Sequence, residues 1–427
     1  MMEVAAKEIE FERYSKYKDS GIEWLGKVPS HWKIKRLKYS VNIVKRIVGN
    51  EGADVLSITQ NGIIVKDILS GEGQLASDYS NYQIVEKGDF AMNHMDLLTG
   101  YVDMSKYCGV TSPDYRVFKL TDDSIAKQYF LKLLQLCYDN KIFYGYGRGV
   151  SQFGRWRLPA SSFNNFLIPI PPKEEQTAIA NFLDEKTAKI DEAISIKQRQ
   201  IELLKERRQI LIHKAVTRGL NPDVPLKPSG VDWIGDIPEL WEVKRFKYVT
   251  DLISIKTTGA ESDLKYIGME NVESWTGNYI DSEGDAEGAA NTFQKGDILF
   301  GKLRPYLAKV FLAEDKGICS TELLVYRSNS NVFNYYMKQF MISYGFISLI
   351  NSSTYGAKMP RANSDFIGNQ LMIIPPIEEQ REICAFINSI NEKIERITEA
   401  KKVEIIKLKE YKTTLINSTV TGKIKVS

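Results

Sequence analysis

"PPKEEQTAIANFLDEKTAKI", residues 171–190, returns as "PPIEEQREICAFINSINEKI", residues 375–394, at an offset of 204. In each copy prolines stop a preceding strand, a glutamate pair complements the positive end of a helix, and an apolar series follows. From 174 to about 216 the apolar residues fall at 179, 182/183, 190, 194, 201, 204, 211 and 215, interrupted by Lys186, Lys197 and Arg208. This spacing predicts a long helix with a heptad-like seam, ended by Gly219 and Asn221-Pro222. At about 1.5 Å per residue it reaches roughly 60 Å. The second copy repeats the seam through Ile383, Phe386, Ile390, Ile394, Ile397, Ile405, Leu408 and Leu415. A helix of this length cannot bury its stripe on a small domain at one end, so the two seams are expected to pair with each other. With a globular domain between them, antiparallel pairing with a domain at each end is the preferred arrangement. Packing of each helix on its own domain, or partial cover by partner subunits, is the alternative.

The duplication extends upstream. "SGIEWLGKVPSHWKIKRLKY" (20–39) returns as "SGVDWIGDIPELWEVKRFKY" (229–248), aligning Trp24 with Trp233, Pro29 with Pro238 and Trp32 with Trp241. Between these anchors the copies diverge, although "KGD" at Lys87 recurs at Lys295 and "YG" at Tyr146 recurs at Tyr355. A period of this size exceeds that of solenoids, roughly 20–50 residues, and marks a duplicated domain-plus-helix unit with internal pseudo-twofold character. The middles read as short strands, among them "DVLSITQNGIIV", "YQIVEKGDFAM", "YRVFKL", "FQKGDILF" and "TELLVYRS". Each middle adds one helix, near 126–136 and near 333–350. The expected fold class is α/β (α+β): two similar globular domains joined by two long helices in an antiparallel coiled coil. The expected division is an N-terminal arm 1–16, a first globular domain 17–172, a central helix 173–220, a second globular domain 221–376 and a C-terminal helix 377–427.

At 427 residues the chain is too long for one ordinary core. Its 43% hydrophobic and 26% charged residues are those of a globular protein, with no apolar run near the ~20 residues of a membrane helix and no signal-peptide stretch at the start. Four scattered cysteines with no CxxC pair suggest neither a disulfide framework nor a zinc site. The cytoplasm is the expected compartment. With 57 basic against 54 acidic residues, nucleic-acid binding would have to come from local patches.

Catalytic constellations are hard to find. "FYGYGRG" (143–149) lacks the strand-and-acid context of a cofactor loop and reads as a glycine-rich turn. "IPIPP" lacks the polar residue that holds an exocyclic amine, and there is no G-x-x-x-x-G-K-[ST] phosphate loop. "ESDLK" at Glu261 reads as a solvated turn, and His31, His94 and His213 lie far apart. What remains is recognition chemistry. "GYGRGVSQFGRWRLP" offers Arg148, Ser151, Gln152, Arg155, Trp156 and Arg157. "GKLRPYLAKV" offers Lys302, Arg304 and Tyr306, and "STYGAKMPRANSD" offers Lys358, Arg361 and Asn363. Asn93 and His94 come from the segment aligned with "GKLRP". Arginine grips guanine or phosphate bidentately and the amides pair with adenine, so these are candidate DNA-binding residues at corresponding places in both halves. The repeated Trp24/Trp32 and Trp233/Trp241 read as structural anchors.

In combination, the duplicated openings, the "KGD" segments, "GKLRPYLAKV" and the two proline-glutamate helix starts resemble the specificity subunit of type I restriction-modification systems. The resemblance spans essentially the whole chain. "NHMDLLTGY" in the first half departs from it by lacking the "K-x-R-P" form. The resemblance implies a non-catalytic reader of a bipartite double-stranded DNA site, one half per domain, with the long helices as spacer. It further implies two modification subunits that carry AdoMet and methylate adenine, and restriction/translocase subunits that use ATP and Mg. It implies no cofactor in this chain and no membrane. A stand-alone DNA-modifying enzyme and a coiled-coil scaffold without DNA binding are the alternatives. The first would need the missing cofactor and amine-holding motifs, and the second leaves the matching basic and aromatic loops unexplained.

Overall fold

The computed structural model describes residues 11–50, 52–68, 76, 78–149, 156–258, 264–282, 288–329, 332–354 and 358–426. They divide into two units, Met1–Ser195 with Glu404–Ser427, and Ile196–Val403. The helix expected from 174 to about 216 runs Lys173–Arg218, and its counterpart runs Ile377–Val420. Each unit therefore contains the start of one long helix and the end of the other.

Unit 1 is built on a four-stranded antiparallel sheet in the order Val41–Val44, Arg116–Leu120, Phe90–Met92 and Val102–Met104. The hairpin Leu56–Thr59 with Gly62–Val65 shares a buried apolar cluster with this sheet, Leu56, Ile58 and Ile63 from the hairpin and Ala91 and Val117 from the sheet, joined by Val85 of the strand Gln83–Val85. A helix, Lys127–Asp139, buries Tyr129, Phe130, Leu133 and Leu134. The sheet of unit 2 has the same order: Thr250–Ile253, Leu323–Ser328, Ile298–Gly301 and Val310–Leu312. Its distal part differs, with a four-stranded mixed sheet where unit 1 has two-stranded pairs. The likeness thus lies in the inner sheet and the divergence in the outer one.

The motif that opens each long helix joins helix to domain. Glu175 accepts from the indole Nε1 of Trp32 at 2.9 Å, and Glu379 accepts from that of Trp241 at 2.8 Å. Both tryptophans are fully buried, so each indole N–H would otherwise be orphaned at a cost of about 1–3 kcal/mol. Gln176 donates to the Pro171 carbonyl at 2.8 Å and accepts from Ala126 N at 2.7 Å, at the start of the Lys127–Asp139 helix. Gln380 does the same with the Pro375 carbonyl at 2.8 Å and Phe333 N at 2.7 Å. The incoming end of the other helix is held by a buried tyrosine. Tyr129 donates to the Val420 carbonyl at 3.4 Å and Tyr336 to the Val216 carbonyl at 3.1 Å.

Within each unit the two helix segments run antiparallel. In unit 1 Lys412 pairs with Asp191 at 2.7 Å, and Ile190, Ile194, Ile405 and Leu415 are buried. In unit 2 Lys401 donates to Gln200 at 2.6 Å, while Ile212, Val216, Ile383 and Ile387 join the domain core.

The "KGD" segments are turns rather than strand. Gly88 and Gly296 have φ of 91° and 90°, a conformation that favours glycine, and the aspartate that follows caps the turn. Asp89 Oδ2 accepts from Glu86 N at 2.9 Å and Asp297 Oδ2 from Gln294 N at 2.8 Å. The single helix expected near 333–350 is two, Asn334–Ile342 and Tyr344–Ser352. Ser343 is extended at the break (ψ 146°), and Gly345 abuts the Trp233 ring so closely that an added Cβ would lie 2.1 Å from it. The tryptophan position that the duplication singled out is thus what the kink accommodates.

Candidate nucleic-acid interface

In unit 2 the structure brings two of the predicted segments together. After the strand Ile298–Gly301 the chain turns through 302–308 and meets 360–362. Ala362 N donates to the Lys302 carbonyl at 2.8 Å, and Arg304 N donates to the Pro360 carbonyl at 2.8 Å. Arg304 and Ala308 both lie in the left-handed region, at φ 51° and 48°, bracketing a single 3-10 turn that holds Tyr306 outward. Arg304, Tyr306 and Lys358 are exposed and Lys302 is half-buried. The surface is basic and aromatic, suited to phosphate and sugar contact.

Two candidates there have structural work. Arg361 makes a bidentate pair with Glu322, Nε to Oε2 at 3.1 Å and Nη2 to Oε1 at 3.2 Å. Asn363 caps the short helix Ser364–Asn369, its Oδ1 accepting from Asp365 N at 2.7 Å and Phe366 N at 3.2 Å. The Asn-Ser-Asp sequence is a cap signature that could have revealed this.

Unit 1 repeats the same backbone frame around different chemistry. Leu158 N donates to the His94 carbonyl at 2.8 Å, matching Ala362 to Lys302. Asn93 N donates to the Tyr101 carbonyl at 2.9 Å, matching Gly301 N to the Lys309 carbonyl at 2.8 Å. The loops 93–101 and 301–309 are therefore structural counterparts of equal length. His94 takes the place of Lys302 and Asp96 that of Arg304, so the first loop lacks the second's positive charge. Arg148 and Arg157 are both exposed and joined by a backbone bridge, Arg148 N to the Arg157 carbonyl at 2.8 Å. Ser151, Gln152 and Arg155 lie outside the described residues.

Trp156 is occupied by packing. Its Nε1 donates to the Tyr144 carbonyl at 2.7 Å, and its ring stacks on Tyr144 with centroids 5.0 Å apart. A Cβ at Gly147 or Gly149 would lie 2.4 or 2.6 Å from that ring, so these glycines of "FYGYGRG" make room for the indole.

Beneath the unit 1 loop lies a buried cation. Arg116 is 5% exposed, donates to the Leu158 carbonyl at 2.9 Å and sits over the Phe163 ring at 4.7 Å; burial lowers its pKa to about 10. Burial, with Arg116 and Arg157 nearby, pushes His94 down to about 3 from 6.5. An unfolded chain then takes up a proton below pH 6.5 that the folded chain refuses until about pH 3. Stability is unaffected above 6.5 and falls as pH drops through that window, by at most about 1.4 kcal/mol per pH unit. In urea melts, a His94→Gln variant should lose less stability between pH 7 and 5 than the unaltered chain. Equal losses would contradict this assignment.

Among the described residues no group of three or more His, Cys, Asp or Glu is placed to hold a metal ion, and no helix is long and apolar enough to cross a membrane.

Two copies of one α+β frame, each clamped between the ends of two long helices and each presenting a variable loop face, define a duplicated recognition protein. The chain belongs to the type I restriction modification DNA specificity domain family, which it matches at residues 47–206 and 238–407. It is 26% identical over 243 residues to the type I restriction enzyme EcoDI specificity subunit of Escherichia coli, covering 52% of this chain and 54% of that one. It is 28% identical over 280 residues to the MjaVIII specificity subunit of Methanocaldococcus jannaschii, covering 62% and 63%. The matches thus span less than two thirds of the length of these relatives. In fold it is similar to a chain solved under the description "Structural basis underlying complex assembly and conformational transition of the type I R-M system". That likeness has a TM-score of 0.66 at 13% identity, and covers 92% of this chain and 98% of the other.

Proposed function

We propose that this chain is the non-catalytic DNA-reading subunit of a type I restriction-modification complex. It binds a bipartite double-stranded site, one half per recognition domain, and works in the cytoplasm. Family membership supports this reading, and one structural observation carries it: two matching backbone hydrogen bonds anchor the counterpart loops 93–101 and 301–309, whose side chains differ in charge. A shared frame with unlike faces is what two readers of two different half-sites require. The long helices would hold the two readers in register and dock two modification subunits, which bring AdoMet and methylate adenine. Restriction/translocase subunits using ATP and Mg would join them.

A division of labour among side chains is part of this reading. Lys302, Arg304 and Lys358 are assigned to phosphates, and Arg148, Arg157 and the amide and hydroxyl groups of the first domain to base edges and backbone. Arg304→Ala should weaken duplex binding by about 1–3 kcal/mol across sequences and reduce the salt slope of log K by roughly 1. Unaltered affinity and slope at physiological salt would remove Arg304 from the interface.

A further inference from the structure

Two turns outside the divergent middles carry the same surface. In "KRLKY" (35–39) the strand Lys33–Arg36 runs into a single 3-10 turn, Leu37–Tyr39, and in "KRFKY" (244–248) the strand Glu242–Arg245 runs into Phe246–Tyr248. The backbones match: Arg36 lies at φ −83°, ψ 143° and Arg245 at φ −68°, ψ 142°. Leu37 and Phe246 are fully buried, while Arg36, Lys38 and Tyr39 are exposed, as are Arg245, Lys247 and Tyr248.

Identity between the copies follows exposure here, the reverse of what core packing alone would produce. The buried position has changed from leucine to phenylalanine, and the three exposed positions are the same in both copies. Other exposed positions of the same stretch did not stay fixed. Lys27 corresponds to Asp236 and Lys33 to Glu242, each a reversal of charge. Exposed charged and aromatic residues that are held while their exposed neighbours drift point to binding.

No internal task accounts for them. Tyr39 and Tyr248 are 67% and 66% exposed, the two most exposed tyrosines among the described residues. The side chains of Arg36 and Arg245 have no hydrogen-bond or ion-pair partner among the described residues. Lys38 Nζ lies 5.0 Å from the centroid of the Tyr39 ring and Lys247 Nζ 5.5 Å from that of Tyr248, so each lysine rests on its own tyrosine. Lys247 also donates to Asn369 Oδ1 at 2.8 Å, a neutral acceptor that leaves its charge unpaired.

The occupant must be common to both halves. The loops 93–101 and 301–309 differ in charge, as readers of unlike sequences do, whereas a surface held the same suits what does not vary between half-sites, the phosphate backbone. Arginine, lysine and tyrosine all donate to phosphate oxygens, and such contacts position a protein without reading sequence. The turns also adjoin the candidate readers. Arg157 leads into the helix Ala160–Asn165, and the Phe166 carbonyl that follows it accepts from Leu37 N at 2.9 Å. Lys358 and Arg361 lead into the helix Ser364–Asn369, whose last residue holds Lys247. Each of these helices has six residues and so spans about 9 Å, the axial rise of two to three base pairs.

We propose that each 3-10 turn, with its arginine, lysine and tyrosine, grips the phosphate backbone about two to three base pairs from the bases its own domain reads. The grip is the same in both halves and independent of sequence. In the first domain it supplies the positive charge that the loop 93–101 lacks. The proposal rests on the reading that this chain binds duplex DNA.

The test uses the full chain and two duplex probes, one carrying the motif that methylation mapping returns and one without it, over a range of salt. Arg36→Gln combined with Lys38→Gln should weaken binding to both probes about tenfold or more and lower the salt slope of log K by roughly 2, leaving the preference for the motif unchanged. Arg245→Gln combined with Lys247→Gln should do the same. Lys33→Gln, on the same strand but at a position whose counterpart is acidic, should change either affinity less than about twofold. Unchanged affinity and slope in either double variant, while the unaltered chain still prefers the motif, overturns the proposal and leaves the DNA reading standing. So does a loss confined to the motif probe, which would make the turn a base reader, or an equal loss with Lys33→Gln. Unchanged duplex binding with weakened association of the modification subunit would make the turn a protein interface and overturns the proposal as well. No duplex binding by the unaltered chain overturns the proposal together with the DNA reading.

Discussion

Exchanging residues 40–167 for the corresponding segment of another family member should change one half of the recognised DNA site completely and leave the other half as it was. The junctions favour such an exchange. The chain enters and leaves this segment through one antiparallel pair, Lys33–Arg36 with Leu167–Ile170, in which Arg36 faces Leu167. Leu37 N donates to the Phe166 carbonyl at 2.9 Å immediately inside it, so both cuts lie side by side. The frame residues Trp32, Glu175 and Gln176 all lie outside the exchanged segment. Unit 2 has the same doorway, Glu242–Arg245 with Leu371–Ile374 and Phe246 N to the Gln370 carbonyl at 2.8 Å. If both halves of the site changed, the assignment of one half to each domain would be wrong.

Trp241→Ala should destabilise unit 2 by about 3–5 kcal/mol, the range for removing a fully buried large aromatic. Two terms add. The side chain is 0% exposed within the core that includes Ile212, Val216 and Ile237, and its loss leaves a cavity. Glu379 also loses the donor at 2.8 Å that ties the second long helix to the domain. Glu379→Gln, which keeps the shape and an acceptor, should cost less, about 1–2 kcal/mol, since only the charge assistance is lost. Urea denaturation of the full chain checks both. A Trp241→Ala loss below about 1 kcal/mol would show that the indole is not the link between helix and domain.

The duplicated helix starts were legible because a helix declares itself locally: prolines, acidic first turn and heptad spacing all lie within one continuous stretch. The partners of those starts were less so. Nothing in "PPKEEQ" says that its second glutamate holds Trp32, although the recurrence of the same Glu and Trp in the second half was the available signal. The split of the helix near residue 343 escaped the periodicity because its cause is tertiary, the Trp233 ring against Gly345. Among the candidate readers, Arg304 and Tyr306 are presented to solvent as residue type suggested. Trp156, Arg361 and Asn363 instead hold the loops together, a distinction set by Gly147, Gly149, Glu322 and the Ser364–Asn369 helix. Side-chain type identified the segments, and only spatial neighbours separate the contact from the scaffold.

Mapping adenine methylation across a genome in cells that co-express this chain with its modification subunit tests the central claim most directly. The predicted result is a split motif, two specified halves separated by a gap of unspecified bases, seen only when both proteins are present. A continuous motif, or methylation by this chain without its partner, would contradict it.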